Sequence, residues 1–221
     1  MLDNNKRYLQ LAFNYTLDQV SKILPYIPQN NRIFIEAGTP FIKIEGLRGI
    51  SYIAKNWNGI VVADLKTLDG AVSEVNYVYN AGARAATVLG NAPTETLNLF
   101  IDRCRKLRMY SMIDMLGVER PLKVMLKLKK PPDIVVIHRG RDEEGTRGKM
   151  IKYKHINKIR GKYDVLISAA GGIDLREARS AIFNGANIVV ANIVSPSDPW
   201  TGIRTDTDVK KMAVEFLKTI K

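Results

Sequence analysis

Val61-Val62-Ala63-Asp64-Leu65-Lys66-Thr67-Leu68-Asp69-Gly70 sets two carboxylates around an amine where an apolar run ends, and a helix-like stretch, 71–80, follows at once. A strand with a polar tip that feeds directly into a helix is the building unit of an α/β fold. In an extended chain, side chains two apart point to the same side, so Asp64 and Lys66 are expected to share one face. Asp69 falls beyond the strand, in a loop that Gly70 can turn. Burying such a cluster is costly unless its members pair or hold a ligand. The plain alternative to an active site is a surface salt bridge at a strand exit.

Outward from this unit the same pattern repeats. Strand-like runs are read at 9–14, 32–37, 59–64, 85–89, 109–115, 133–138, 164–168 and 187–191. Several, such as Ile134-Val135-Val136-Ile137, are apolar throughout, which suits strands covered on both faces. Helix-like stretches lie between them, at 17–24, 45–55, 71–80, 94–106, 121–129, 152–160, 175–184 and 206–221. Thr94 and Asp174 are read as N-caps, and Gly82, Gly161 and Gly185 as left-handed helix ends. Eight alternations without a break in composition predict a single-domain (β/α)8 TIM barrel over residues 1–221, with an open doubly wound sheet as the alternative. A barrel would gather Asn14, Glu36, Asp64, Asp114, His138 and Gly171-Gly172 in one mouth, because each stands at the downstream end of a strand.

Composition narrows the partners. A chain of 221 residues with 46% apolar residues can bury a sizeable core. Cys104 is the lone cysteine, which excludes an internal disulfide and a thiolate metal site and suggests a reducing compartment. No leader is read at Met1-Leu2-Asp3-Asn4-Asn5-Lys6 and no apolar run approaches bilayer length, so a cytoplasmic protein free of the membrane is expected. The net charge of +12 attracts anions of any kind. Its clusters, at 103–108, 123–130 and 149–162, fall mostly on predicted helices and carry no interleaved aromatics, so nucleic acid is not the expected partner.

Read together, the segments resemble the orotidine 5′-phosphate decarboxylase superfamily, and within it the 3-hexulose-6-phosphate synthase and 3-keto-L-gulonate-6-phosphate decarboxylase branches. The resemblance runs from about Leu9 past Pro199. It is carried by Ile35-Glu36-Ala37-Gly38-Thr39-Pro40-Phe41-Ile42-Lys43-Ile44-Glu45-Gly46-Leu47 and by Asp64-x-Lys66-x-x-Asp69. Thr87-Val88-Leu89-Gly90, Ile113-Asp114-Met115-Leu116-Gly117, His138-Arg139-Gly140-Arg141-Asp142 and Ala170-Gly171-Gly172-Ile173 support it in order and spacing.

That resemblance implies roles. Glu36 and Asp64 would hold Mg²⁺, a hard ion that takes a few carboxylates plus substrate oxygens, and the metal would stabilise a cis-enediolate as a Lewis acid. Lys66 would support the reacting carbon and oxygen, kept protonated by its flanking carboxylates. Asp69 would enter the site of a second subunit, making the catalytic unit a homodimer. His138 would shuttle a proton, while His155, on a basic helix, is expected to be solvated. Gly171 and Gly172 would offer backbone N–H groups to a substrate phosphate. Taken singly, Glu36 also suits a lysine partner, His138 a plain core histidine and the glycine pair a simple turn.

Two positions depart from the pattern. The first strand of the family ends in an aspartate that contacts substrate hydroxyls and the lysine; here it ends in Asn14. The eighth commonly ends in Gly-Arg, whose guanidinium binds phosphate; here Ala191-Asn192 stands there, leaving Arg204 or Arg141 as replacements. Asn14 and Asn192 remain candidate substrate contacts. Arg141 itself follows the decarboxylase branch, whereas Gly140, Asp142, Glu143 and the Gly38-Thr39-Pro40 stretch follow the synthase. The glycine-rich loop 139–149 is a lid candidate.

The reading that results is an Mg²⁺-dependent aldolase-type lyase acting on a phosphorylated sugar: formaldehyde plus ribulose 5-phosphate against arabino-3-hexulose 6-phosphate. Decarboxylation of a 3-keto sugar-acid 6-phosphate is the nearest alternative. A diverged barrel that binds a phosphorylated ligand or nucleic acid without catalysis is the third.

Overall fold

The repeating unit closes on itself. In the computed structural model, which describes residues 2–146 and 148–221, the strands are β1 (Tyr8–Phe13), β2 (Ile33–Ala37), β3 (Val61–Thr67), β4 (Ala85–Leu89), β5 (Tyr110–Asp114), β6 (Ile134–His138), β7 (Leu166–Ala170) and β8 (Ile188–Val194). Each pairs in parallel with the next, and β1 also pairs with β8, so Leu9 lies opposite both Ile33 and Val189. That last pairing makes a barrel of what would otherwise be an open sheet. A two-residue strand, β9 (Ile203–Arg204), extends the sheet beside β8.

Helices α1 (Leu17–Ile23), α2 (Thr39–Asn56), α3 (Ala71–Asn80), α4 (Thr94–Lys106), α5 (Pro121–Met125), α6 (Lys154–Arg160), α7 (Leu175–Phe183) and α8 (Val209–Thr219) alternate with the strands. Alternate strand residues divide the core in two. Leu9, Leu11, Phe13, Ile35, Ile113 and Ile167 belong to the large apolar layer under the helices. Tyr8, Phe34, Val62, Met112, Ile134, Leu166 and Ile188 form a separate cluster that fills the barrel interior, with the Tyr8 and Phe34 rings stacked 5.1 Å apart. Both faces are therefore apolar, which is why the strands read as unbroken hydrophobic runs.

Several boundaries differ from the sequence expectation. Helix α2 starts at Thr39, six residues before the expected 45, because Pro40 suits a first turn; Gly46, at φ 58° and ψ −152°, interrupts it. Pro93, not Thr94, is the N-cap of α4, and Gly161 ends α6 in the right-handed region, unlike Gly82 and Gly185. Helix α5 stops at Met125, four residues short of the expected 129. Asp174 caps α7 as expected, accepting from the Glu177 N–H at 2.7 Å. Among the described residues no helix is long and apolar enough to cross a membrane. Met1 and Arg147, the latter within the lid candidate, lie outside the described residues.

Candidate active site

Strand β3 does not end at Asp64. It continues to Thr67, and four steps along it, from Ala63 to Thr67, match only two on β4, from Ala86 to Val88. Lys66 takes up the extra length in a left-handed conformation, φ 49°, which a lysine adopts only under constraint. Thr87 on β4 supplies that constraint: its hydroxyl accepts the Lys66 N–H at 2.9 Å and donates to Asp64 Oδ1 at 2.8 Å. Asp64 and Lys66 do meet, with Lys66 Nζ 2.5 Å from Asp64 Oδ2, but a bulge brings them together rather than simple strand alternation.

From there a chain of charges runs across the mouth. Lys66 Nζ lies 3.3 Å from Asp114 Oδ2, and Asp114 Oδ2 lies 2.8 Å from His138 Nδ1. The Leu116 N–H donates to Asp114 Oδ1 at 3.0 Å, which pins the carboxylate. Since Asp114 is an acceptor, Nδ1 of His138 carries the hydrogen and Nε2 is left for a substrate. Burial pushes the Asp114 carboxyl up, but the charge and hydrogen bond of His138, and then Lys66, outweigh it and hold it at about 2. Burial opposes charge on Lys66 and His138 too; Asp64 and Asp114 overcome it at the lysine, Asp114 at the histidine, and both are raised.

Glu36, on β2, behaves differently. Burial, then the charge of Asp64, raises its carboxyl to about 7, with Lys66 and Gln10 offsetting only part. Gln10 Nε2 donates to Glu36 Oε2 at 2.5 Å, while Gln10 Oε1 is buried without a partner. Two buried carboxylates with the upper one so raised form a set that a divalent cation would relieve, and two carboxylates are what Mg²⁺ ordinarily takes from protein. No cluster of three or more His, Cys, Asp or Glu side chains suited to a metal exists among the described residues, so further ligands would have to come from substrate and water.

All of these groups line one cavity of about 470 Å³ at the carboxyl ends of the strands, together with Asn14, Arg141, Gly171 and Asn192. Asn14 Nδ2 donates to Asn192 Oδ1 at 3.2 Å, so the two positions that depart from the family pattern are partners. Gly38 makes room for them, since a Cβ there would sit 2.2 Å from Asn14 Oδ1. A Cβ on Gly171 would meet the Arg139 carbonyl at 2.0 Å, and one on Gly172 the Arg139 guanidinium at 2.3 Å, so both glycines are required by close packing of the turn. Arg141 stacks on Trp200, with its guanidinium carbon 4.5 Å from the ring centre. Arg204 faces away, its Nη1 donating to the Pro196 carbonyl at 2.6 Å.

Asp69 is not brought into this cavity by its own chain. It is exposed and edges a shallow hollow with Val72 and Leu99. His155, expected to be solvated, is half-buried, with Nε2 enclosed and unpartnered; burial, then the neighbouring Lys154, lowers it. Sequence reasoning gave no role to Gln10, Thr39, Thr87 or Asp114. The inward parity of β1, which runs Tyr8, Gln10, Ala12, Asn14, contained a signal for Gln10.

Residues 7–193 match the model of the Orotidine 5′-phosphate decarboxylase / HUMPS family. The chain is 35% identical over 216 residues to a Bifunctional enzyme Fae/Hps of Methanothrix thermoacetophila, covering 97% of this chain and 53% of that protein. It thus spans about half the length of the curated relatives it matches. The crystal structure of 3-hexulose-6-phosphate synthase from Salmonella typhimurium superposes with a TM-score of 0.82 at 23% identity, covering 96% of this chain and 98% of that one. A second 3-hexulose-6-phosphate synthase structure gives a TM-score of 0.75 at 27% identity, covering 97% and 100%.

Proposed function

This chain belongs to the orotidine 5′-phosphate decarboxylase / HUMPS family, and within it we propose an aldolase-type carbon–carbon lyase of the 3-hexulose-6-phosphate synthase kind. Its reaction interconverts arabino-3-hexulose 6-phosphate with formaldehyde and ribulose 5-phosphate. The observation that carries the reading is the ladder Asp64–Lys66–Asp114–His138 at the base of the cavity, a fixed cation and a proton carrier held side by side.

In the cleavage direction His138 Nε2 takes the proton of the C1 hydroxyl, the C1–C2 bond breaks, and formaldehyde leaves. The electron pair goes to an enediolate spanning C2 and C3, where Lys66 Nζ faces the negative charge. His138 then returns the proton to the former C2, giving ribulose 5-phosphate. Glu36 and Asp64 would hold Mg²⁺, which when bound supplies Lewis-acid polarisation to neighbouring oxygens of the sugar phosphate. Asp69, exposed beside the apolar Leu68, Val72 and Leu99, suits contact with a second copy, whose mouth it would complete.

Formaldehyde release from the hexulose phosphate, with and without Mg²⁺, is the direct test, and no turnover in either condition would remove the assignment. Arg141 in the mouth favours a second reading, decarboxylation of a 3-keto sugar-acid 6-phosphate through the same enediolate. Relative turnover on the two substrates separates them.

A further inference from the structure

Between the pairs Ala63–Ala86 and Thr67–Val88, three residues of β3 face a single residue of β4, Thr87. Asp64, Leu65 and Lys66 therefore crowd against one side chain. Thr87 lies on the inward side of β4, two residues past Ala85 of the interior cluster, and it lines the cavity while almost wholly buried. A hydroxyl has one proton to give, and here its use is forced, because the Lys66 N–H can only donate and an ionised Asp64 can only accept. Thr87 Oγ1 thus accepts from the Lys66 N–H at 2.9 Å and donates to Asp64 Oδ1 at 2.8 Å. One oxygen fixes both the backbone of the cation and the carboxylate which that cation touches.

The second hydroxyl at Asp64 does less. Thr39 Oγ1 lies 2.8 Å from Asp64 Oδ2 and 2.7 Å from the Asp64 carbonyl, and its hydroxyl bonds only Asp64 among the described residues. It leaves the Lys66 backbone to Thr87. That backbone is held at φ 49°, a region that a strand lysine does not enter unaided. The turn carries the ammonium across the mouth, to 2.5 Å from Asp64 Oδ2 and 3.3 Å from Asp114 Oδ2, two strands away. Without the Thr87 acceptor the Lys66 N–H would lose its partner, and the chain would relax toward an ordinary strand conformation. Nζ would swing with it.

We propose that Thr87 is a positioning residue: its hydroxyl holds Lys66 in the left-handed conformation and so sets the ammonium between Asp64 and Asp114, where the charge of the enediolate develops. It acts through Lys66 rather than on the substrate. The proposal deepens the lyase reading above and rests on it for the kinetic half of its test.

That test replaces the hydroxyl with a methyl of similar size. Thr87→Val should lower kcat for formaldehyde release about thirtyfold, with KM for the hexulose phosphate changed by no more than about threefold. Thr87→Ser keeps the oxygen and should restore most of kcat. Heteronuclear NMR of the lysine ammonium groups reads the placement without turnover, with Lys66→Met identifying the signal. Wild type is expected to show a distinct, slowly exchanging Lys66 ammonium; in Thr87→Val it should merge with the solvated lysines, and in Thr87→Ser it should return. Should Thr87→Val be too unstable, Thr87→Ala carries the same two readouts. A lowered melting temperature with kcat and the Lys66 signal as in wild type overturns the proposal, because the hydroxyl would then serve the fold alone. A fall in kcat with the signal unmoved overturns it as well. Loss of the signal and its return in Thr87→Ser, in a protein that never releases formaldehyde, removes the lyase reading and leaves the positioning of Lys66 standing.

Discussion

The two sides of the mouth are built on opposite principles. The wall made by β3, β5 and β6 is ionic and saturated, with Asp64 and Asp114 buried, Lys66 and His138 half-buried, and each touching the next. The side made by β8 and β1 is neutral, closed by the Asn14–Asn192 amide pair, and the arginine of the cavity lining, Arg141, stands on a loop and stacks on Trp200. A saturated ionic wall fixes charges to within fractions of an ångström, which chemistry at one carbon demands. A neutral wall of amides makes no such demand, because a hydrogen bond between two uncharged side chains is worth only about 1 kcal/mol. The two departures from the family pattern, Asn14 and Asn192, both fall on this neutral side.

The largest effect that would break this contrast lies at the ionic wall. Lys66→Met should lower kcat for formaldehyde release by about a thousandfold, since it removes the one cation facing the developing charge. A thermal melt distinguishes loss of chemistry from loss of fold, because Asp64 and Asp114 are then left without their shared cation. Retention of a tenth of the activity would mean that the ladder is structural.

Next in size is a pH dependence that the neutral side cannot produce. Glu36 is raised to about 7, so at pH 6 it is mostly protonated and at pH 8 mostly ionised. Mg²⁺ affinity, followed by calorimetry, should rise about tenfold across that interval, because a bound metal must displace the proton. Without metal the sign reverses: a raised carboxyl stabilises the fold below its unfolded value and loses that contribution as pH passes about 7. His138, also raised, adds to the same loss as it deprotonates. The metal-free melting temperature should thus fall from pH 6 to pH 8, and Mg²⁺ should recover more of it at pH 8. Asp114 acts at the other extreme, its stabilisation complete above the ordinary carboxyl range and lost progressively as pH falls from there through about 2. Equal Mg²⁺ affinity at the two pH values would show that Glu36 is not a ligand.

These two sides were not equally legible in the sequence. Asp64, Lys66 and His138 stand toward the downstream ends of their strands in an order that the family resemblance exposes, and the barrel followed from eight such units. The bulge at Lys66 was hidden, because nothing in Leu65-Lys66-Thr67 marks a left-handed residue; the cause is the Thr87 hydroxyl on the neighbouring strand. Asp114 was visible as a polar strand end, yet its service to both Lys66 and His138 exists only in three dimensions. Asn14 and Asn192 read as two separate losses until the β1–β8 pairing made them neighbours, 178 residues apart in the chain. That Arg141 lines the cavity while Arg204 is spent on backbone carbonyls was likewise invisible before the loops were placed.

Smaller effects probe the neutral side. Gly38→Ala should cost about 1–3 kcal/mol in urea denaturation, because its Cβ would drive against Asn14 Oδ1 and the Phe13 carbonyl. Activity should fall less than stability if Asn14 yields without disturbing the ladder. Last is the amide pair itself. Asn14→Ala and Asn192→Ala should each cost about 0.5–1.5 kcal/mol, and the double variant less than their sum by about 1 kcal/mol, the worth of one neutral hydrogen bond. Because both side chains also line the cavity, KM for the sugar phosphate should rise in each single variant while kcat holds within a few-fold. Additive stabilities would show two independent asparagines. A large fall in kcat would show that the neutral side takes part in the chemistry, and the division between a reacting wall and a binding wall would then fail.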